Sequence, residues 1–191
     1  GEREVKAVVY THSHVDHLFA MLKRCDQEGV GRARVHVLLD GRDVPETSAL
    51  LYVDALEELL AGINRKLGRD YRIASGGGRM IITMDRYQAD WSMVERGWKT
   101  HVLAEGRRFA SASAAVKALR AERPGIIDQD LPAFVVERDG KPFAPVVDGD
   151  SVVFFNFRGD RSIEMTQAFV GEVPFERKKV DVCFAGMMTY D

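Results

Sequence analysis

Apolar residues along the chain alternate between short continuous runs and longer runs with helical spacing. The run VKAVVYT is short and rich in valine, which predicts a strand. In the next run, HVDHLFAMLKRCDQEG, apolar residues recur every three or four positions and predict a helix that ends at Gly29. The alternation repeats with a buried strand ARVHVLL, a long helix SALLYVDALEELLAGINRKLG, and a strand YRIAS that ends at the glycines 76–78.

The second half of the chain continues this alternation with one interruption. The predicted elements are a helix from near Tyr87, a helix over SASAAVKALRAER, a strand SVVFFNF, a helix from about Ser162 to Phe169 and a strand VDVCFAG. Before SVVFFNF, the segment AFVVERDGKPFAPVV predicts a β-hairpin, because Asp139-Gly140 is a strong two-residue turn signal. We therefore expect an α/β fold: a layered, mixed β-sheet flanked by helices, with a hairpin in its C-terminal half.

Composition narrows the class of protein. The chain has 191 residues, of which 46% are hydrophobic and 29% charged, values that suit one soluble domain. No apolar run approaches the ~18 residues of a membrane span, and 27 basic against 29 acidic side chains argue against wholesale nucleic-acid binding. We therefore expect neither a membrane nor a nucleic acid as partner. Cys25 and Cys183 are predicted to be buried thiols in a reducing compartment, which indicates a cytoplasmic protein.

Three predicted strands each run into a glycine-containing turn that carries arginine. These turns are Asp40-Gly41-Arg42-Asp43, the glycines 76–78 with Arg79 and then Arg86, and Arg158-Gly159-Asp160-Arg161. Ligands of open α/β sheets bind beyond the carboxyl ends of the strands, where such turns converge. Because guanidinium groups bind carboxylate and phosphate in a bidentate manner, the turns predict a pocket for a small, multiply charged anion. The alternative is that these arginines are surface residues paired with the neighbouring acids Asp40, Asp43, Asp85 and Asp160.

The stretch YTHSHVDHLF carries a second candidate site. Its pattern His-x-His-x-Asp-His is similar to the opening zinc signature of metallo-β-lactamase-type hydrolases, but such a site needs further ligands downstream. Only His36 and His101 follow, and His36 lies within a predicted strand. We keep the zinc hydrolase as the less favoured alternative. The favoured interpretation leaves His14 and His17 exposed or capping the helix, with Asp16 in its first turn.

Four ordered segments resemble the cofactor-independent phosphoglycerate mutases. They are HSHVDHLFAML, LLDGRDVPETSA, SGGGRMIITMDRY and VVFFNFRGDR. The resemblance extends from His12 to near the C-terminus. It implies that residues 1–191 form the substrate-binding (phosphotransferase) domain of a two-domain enzyme. The phosphatase-like domain, which this chain lacks, would hold two divalent metals, usually manganese, and a serine nucleophile.

The resemblance also implies roles for individual residues. The substrate-binding positions carried over from the family are His12, Arg42, Asp43, Arg79, Arg86, Arg158 and Arg161, with no metal ligand among them. The implied reaction is the glycolytic interconversion of 3-phosphoglycerate and 2-phosphoglycerate, in which this domain holds glycerate while the serine carries the phosphate. Asp43 would be the general acid/base, helped by His12, while Arg42 orients the ligand and keeps Asp43 ionised. The chain alone is expected to be inactive, and a stand-alone small-anion-binding module is the alternative function.

Overall fold

The fold is built on a mixed β-sheet. The computed structural model describes residues 4–9, 14–84, 87–143 and 145–190, the first range by its backbone alone. The strands are β1 (Glu4–Val9), β2 (Arg32–Leu39), β3 (Asp70–Gly78), β4 (Arg107–Phe109), β5 (Phe134–Arg138), β6 (Lys141–Pro142), β7 (Ser151–Phe155) and β8 (Cys183–Gly186). The helices are α1 (Val15–Gln27), α2 (Ala49–Ile63), α3 (Trp91–His101), α4 (Ala112–Glu122) and α5 (Ile163–Val170), and two 3₁₀ turns cover Asp128–Asp130 and Gly159–Arg161.

The strand order is β4-β5-β3-β2-β1-β7-β8. β1 pairs in parallel with both β2 and β7, and the parallel pairing continues outward to β3 and β8. β5 runs antiparallel to β3 and forms the predicted hairpin with β6. The mixed α/β architecture expected from the sequence is therefore confirmed. β2 lies on one side of β1 and β7 on the other, so the carboxyl end of β1 is a topological switch point.

Helices cover both faces of the sheet. On one face α1, α2 and α4 enclose a core that includes Leu22, Val53 and Val116, and on the other α3 and α5 enclose a core around Trp98 and Met165. β7 contributes to both, since Phe155 belongs to the first core and Phe154 to the second, as the two-residue period of a strand requires. The sheet is thus buried between two helical layers, and only its edges and strand ends reach solvent.

Local capping explains where the helices begin. His14 is the N-cap of α1, and its Nδ1 accepts a hydrogen bond from the Asp16 amide at 3.3 Å. His14 and His17 are exposed and Asp16 lies in the first turn, which confirms the predicted structural role of these residues. α3 begins at Trp91 instead of near Tyr87, because Asp90 caps it by accepting hydrogen bonds from the amides of the first turn.

Two further predictions were wrong in detail. The glycines 76–78 do not form a turn but are the last residues of β3. They are needed there because neighbouring groups approach the backbone closely: a Cβ on Gly76 would lie 2.5 Å from Phe134 Cζ and 2.6 Å from Val37 Cγ2. Cys183 is exposed, not buried, since it lies on the outermost strand β8.

The hairpin turn matches its sequence signal. Asp139 and Gly140 have φ values of 54° and 76°, the left-handed pair that a type I′ turn requires. Along 14–84, 87–143 and 145–190, no helix combines the length and the apolar character that crossing a bilayer would demand.

Candidate functional site

The turns that follow β2 and β3 are joined by a buried charge cluster. Arg79 is only 3% exposed, and its Nη1 lies 2.9 Å from Asp40 Oδ1 and 3.3 Å from Asp43 Oδ2. The Arg79 amide also donates to the carbonyl of Leu39 at 3.0 Å, which ties the end of β3 to the end of β2. The structure thus brings two predicted site residues, Asp43 and Arg79, into contact, and Asp40 balances the charge.

The loop after β2 presents its acid to solvent. The Asp43 amide donates to Asp40 Oδ2 at 3.2 Å, while the Asp43 side chain is 53% exposed. Arg42 is exposed as well, and no ion pair joins it to another residue in the described part of the chain. Arg79 therefore supplies a guanidinium partner to Asp43, and the role of Arg42 in orienting the ligand and keeping Asp43 ionised stays a prediction.

The turn that follows β7 is built differently. Arg158 forms a two-point pair with Asp160, with Nε–Oδ1 and Nη2–Oδ2 distances of 2.6 and 3.0 Å, and its side chain is 44% exposed. Two buried side chains stabilise the backbone of this turn: Asn156 and Ser162 each donate a hydrogen bond to the Arg158 carbonyl at 2.7 Å. Asp40 and Asp160 both pair with arginine, as the alternative surface interpretation expects, yet each pair also lies at the carboxyl end of a strand.

Arg161 links this turn to the segment that follows β3. Its Nη1 donates to the carbonyl of Met84 at 2.9 Å. Because β2 and β7 flank β1, their ends are about 10 Å apart, twice the spacing of neighbouring strands. Arg79, Arg158 and Arg161 therefore share one edge of the sheet. His12 and Arg86, the other two predicted ligand contacts, lie outside the described residues.

The segment that follows β3 is also held by a buried acid of α5, which the sequence did not identify as a candidate site residue. Glu164 of α5 is fully buried, and its Oε1 accepts a hydrogen bond from the Gln88 amide at 2.9 Å. Tyr87 and Gln88 both have positive φ, a conformation that is unfavourable for residues other than glycine. Glu164 thus stabilises a strained backbone next to the predicted site. Its only sequence signal is an acidic residue between two apolar ones, Ile163 and Met165.

A cavity of about 410 Å³ lies beside this edge, between α1, α2 and the end of β2. Its walls are mainly apolar, with Leu18, Tyr52 and Val53 among them, while Asp40 and Asp43 stand at its rim. Among the residues that the structure describes, no arginine lines this cavity, whereas acidic residues do. The arginine turns at the sheet edge remain the better candidate.

A metal centre would need several His, Cys, Asp or Glu side chains close together. In the described ranges 14–84, 87–143 and 145–190, no group of three or more His, Cys, Asp or Glu side chains lies close enough to hold a metal ion. These residues therefore do not fit a metal centre of their own. His12, the first histidine of the zinc-like pattern, falls outside these ranges.

Comparison with known proteins identifies the family. Residues 9–191 match the family model described as "BPG-independent PGAM N-terminus". The chain is 56% identical over 183 residues to a probable 2,3-bisphosphoglycerate-independent phosphoglycerate mutase of Leptospira interrogans, and 51% identical over 184 residues to the 2,3-bisphosphoglycerate-independent phosphoglycerate mutase of Trypanosoma brucei brucei. Each alignment covers 94% of this chain but 33% of the relative, so the chain spans about a third of the length of the curated relatives it matches.

A solved structure agrees with this assignment. The fold superposes on a crystal structure of Leishmania mexicana phosphoglycerate mutase at low cobalt concentration with a TM-score of 0.94 and 42% sequence identity. The match covers 100% of this chain and 36% of that protein. The resemblance noted in four short segments therefore extends over nearly the whole chain, and the zinc-hydrolase alternative loses its basis. The chain belongs to the family of BPG-independent phosphoglycerate mutases and corresponds to its N-terminal part.

Proposed function

We propose that this chain is the substrate-binding domain of a phosphoglycerate mutase. It would bind 3-phosphoglycerate and 2-phosphoglycerate and hold glycerate while a serine in the remainder of a longer protein carries the phosphate. One observation carries the proposal: the turns after β2, β3 and β7 meet at one sheet edge, joined by the Asp43–Arg79 and Arg161–Met84 contacts. Arg42, His12 and Arg86 are proposed as further ligand contacts.

Phosphoglycerate presents a carboxylate and a phosphate, and the turn after β7 suits the carboxylate. The Arg158 side chain is 44% exposed and that of its partner Asp160 24% exposed, and ion pairs that reach solvent contribute only about 0–1 kcal/mol. A ligand carboxylate would compete with Asp160 for Arg158 and accept two parallel hydrogen bonds from the guanidinium. Arg161, fixed to the Met84 carbonyl, would supply the second cation.

Asp43 is the proposed proton carrier. During the reaction each glycerate hydroxyl alternates between attacking the phosphoryl group and leaving with it, so a nearby group must take and return a proton. Asp43 is about half exposed at the edge where the ligand would lie, and Arg79 holds its carboxylate at 3.3 Å. Arg79 itself is buried against two acids, so its proposed part is to orient Asp43 and not to grip the ligand.

The remainder of the protein is proposed to cover this edge. Large apolar side chains are exposed around it, among them Phe157, Tyr87 and Met80. A second domain seated on them would exclude water from the reacting groups. The proposed nucleophilic serine and two divalent metals, proposed to be manganese, belong to that domain, where the metals would polarise the phosphoryl oxygens. The protein would then serve glycolysis in the cytoplasm.

Calorimetry tests the binding step. Titration of 3-phosphoglycerate into this chain is expected to give millimolar or tighter binding, and Arg158→Ala and Arg161→Ala each to weaken it about tenfold or more, because each removes a charge-assisted hydrogen bond. Arg107→Ala is the matched control, since Arg107 is an exposed, ion-paired arginine on β4. Absence of binding at millimolar ligand in a sample with native circular dichroism contradicts the proposal.

Activity tests the complete assignment. The longer protein that contains this chain is expected to interconvert the two phosphoglycerates, and the chain alone to turn over neither. Binding by the chain without mutase activity in the longer protein would instead indicate a stand-alone anion-binding module.

A further inference from the structure

A buried carboxylate outside the arginine turns connects two helices near the site. Asp128, in the 3₁₀ turn Asp128–Asp130, is 1% exposed. Its Oδ2 accepts a hydrogen bond from the Ala49 amide at 2.7 Å, and its Oδ1 lies 2.5 Å from Arg120 Nη2 on α4. The Asp128 side chain thus joins α4 to the first residue of α2, which lies 79 positions before Asp128 in the sequence.

α2 depends on this contact at its start. Its N-cap, Ser48, makes no side-chain capping hydrogen bond, and the first turn contains no acidic residue. The first amides of a helix need acceptors, and negative charge near them is stabilising. Asp128 supplies both the acceptor and the negative charge from a distant part of the chain. It thereby anchors the start of α2, where the loop that carries Asp43 ends.

The segment also supports that loop directly. The Asp128 amide donates to the Glu46 carbonyl at 2.8 Å. Gly41, at φ +65°, packs so closely that a Cβ would lie 2.9 Å from Glu46 O and 3.0 Å from Asp128 Cβ. The turn Asp40-Gly41-Arg42-Asp43 therefore rests on Asp128.

The same segment supports the turn that carries Arg79. The Gly78 amide donates to the Leu131 carbonyl at 2.8 Å, and the Met80 amide donates to the Gln129 carbonyl at 3.0 Å. A side chain at Gly78 would overlap Gln129 O, so the two backbones are in direct contact. Both residues that flank Arg79 are thus fixed to residues 129–131.

From these contacts we infer that Asp128 is a positioning residue for the mutase site: by anchoring residues 128–131, it sets the placement of Asp43 against Arg79. The inference rests on the proposed function for its catalytic consequence. The contacts run through described backbone on both sides, and the two loops that they support meet at the 3.3 Å Asp43–Arg79 pair. Asp128 acts through these residues and does not contact the ligand.

The test compares two carboxylates that cap a helix from a distance. Asp128→Asn keeps the shape and the acceptor for the Ala49 amide but removes the charge opposite Arg120. Glu57→Gln is the matched control, because Glu57 Oε1 accepts from the Ala112 amide at 2.9 Å and caps α4 without contact to the arginine turns. In the longer mutase, Asp128→Asn is expected to lower kcat about tenfold with less than a threefold change in KM, and Glu57→Gln to leave both within twofold.

A double-mutant comparison separates positioning from general destabilisation. In an Asp43→Asn background, Asp128→Asn is expected to lower kcat less than twofold further. Equal kcat losses for Asp128→Asn and Glu57→Gln, or a full tenfold further loss in the Asp43→Asn background, would overturn the inference.

Hydrogen exchange gives a readout that does not depend on activity. Asp128→Asn is expected to accelerate exchange of the Gly78 and Met80 amides at least tenfold in this chain, while Glu57→Gln does not. Unchanged exchange overturns the positioning role. If the wild-type protein proves inactive as a mutase but exchange responds as expected, the proposed function fails and the structural role of Asp128 stands.

Discussion

Two of the three arginine turns, those after β3 and β7, differ in how they hold their charge. Arg79, after β3, is buried and pairs with Asp40 and Asp43 from another loop, whereas Arg158, after β7, is accessible and pairs with an acid two residues away. The first pair joins separate parts of the chain, so it is part of the folded framework. The second pair is local and partly exposed, and we propose that its guanidinium exchanges Asp160 for a ligand. The same edge of the sheet thus carries a buried arginine held by the fold, Arg79, and a partly exposed arginine, Arg158.

The largest effect on stability is expected from removing Arg79, the buried arginine of the turn after β3. Arg79→Ala leaves two carboxylates facing each other next to a buried gap, and removal of one partner of a buried pair costs about 3–5 kcal/mol. We expect a loss of about 3 kcal/mol in the free energy of unfolding, measured by urea denaturation. Arg158→Ala, the matched change on the other side, is expected to alter it by less than about 0.5 kcal/mol. Similar losses for the two variants would remove the distinction between the turns.

An effect of intermediate size is expected at low pH, which should reduce the stability of the region around the ends of β2 and β3. Beneath the ends of β2 and β3, Ser75 Oγ lies 2.7 Å from both His36 Nδ1 and His101 Nδ1, and all three side chains are buried. Burial lowers the pKa of His101 from 6.5 to about 3. Because the unfolded chain binds a proton at His101 more readily than the folded one, this contribution is fully present above about pH 6.5. It is lost as the pH falls from 6.5 toward 3.

The size of this effect follows from the shift. Each pH unit below 6.5 costs at most about 1.4 kcal/mol, so roughly 2 kcal/mol is lost by pH 5. Urea denaturation at several pH values is expected to show a flatter decline for His101→Gln than for the wild type. His17→Gln, at an exposed helix position, serves as control and should retain the wild-type slope. Parallel curves for all three proteins would contradict the expectation.

The smallest effect is expected from changing Asp160, the partner of Arg158 in the turn after β7. Asp160→Asn removes the acid that competes for Arg158, so 3-phosphoglycerate is expected to bind about two- to threefold more tightly at low salt. The gain should shrink as salt is added. The free energy of unfolding should change by less than about 1 kcal/mol, because the lost pair is partly exposed and local. A large loss of stability would instead make this pair a framework element like that of Arg79.

Local pattern was enough to predict much of this structure. Alternating strand and helix signals led to the mixed α/β fold, and Asp139-Gly140 marked the hairpin. The rule that parallel strands end at one edge placed Arg79, Arg158 and Arg161 on the same side of the molecule before any geometry was known. Such features depend on residues that lie within a few positions of each other.

What could not be predicted depends on contacts between distant residues. The glycines of β3 looked like a turn because their partners, Val37 and Phe134, belong to other strands. The partners of Arg79 could not be chosen from sequence, since four acids were near enough to compete. Asp128 carried no signal at all, because its role exists only where α2, α4 and two loops meet.

The central place of β1 has a consequence for how the chain acquires its shape during synthesis. β1 finds β2 about 25 residues later, but its other neighbour, β7, emerges only after residue 150. Since synthesis proceeds from the N-terminus, one flank of β1 stays open until Ser151–Phe155 has left the ribosome. Newly made chains halted before Ser151 are therefore expected to expose a pairing edge that self-associates, and the arginine of the β7 turn joins the others among the last events of folding.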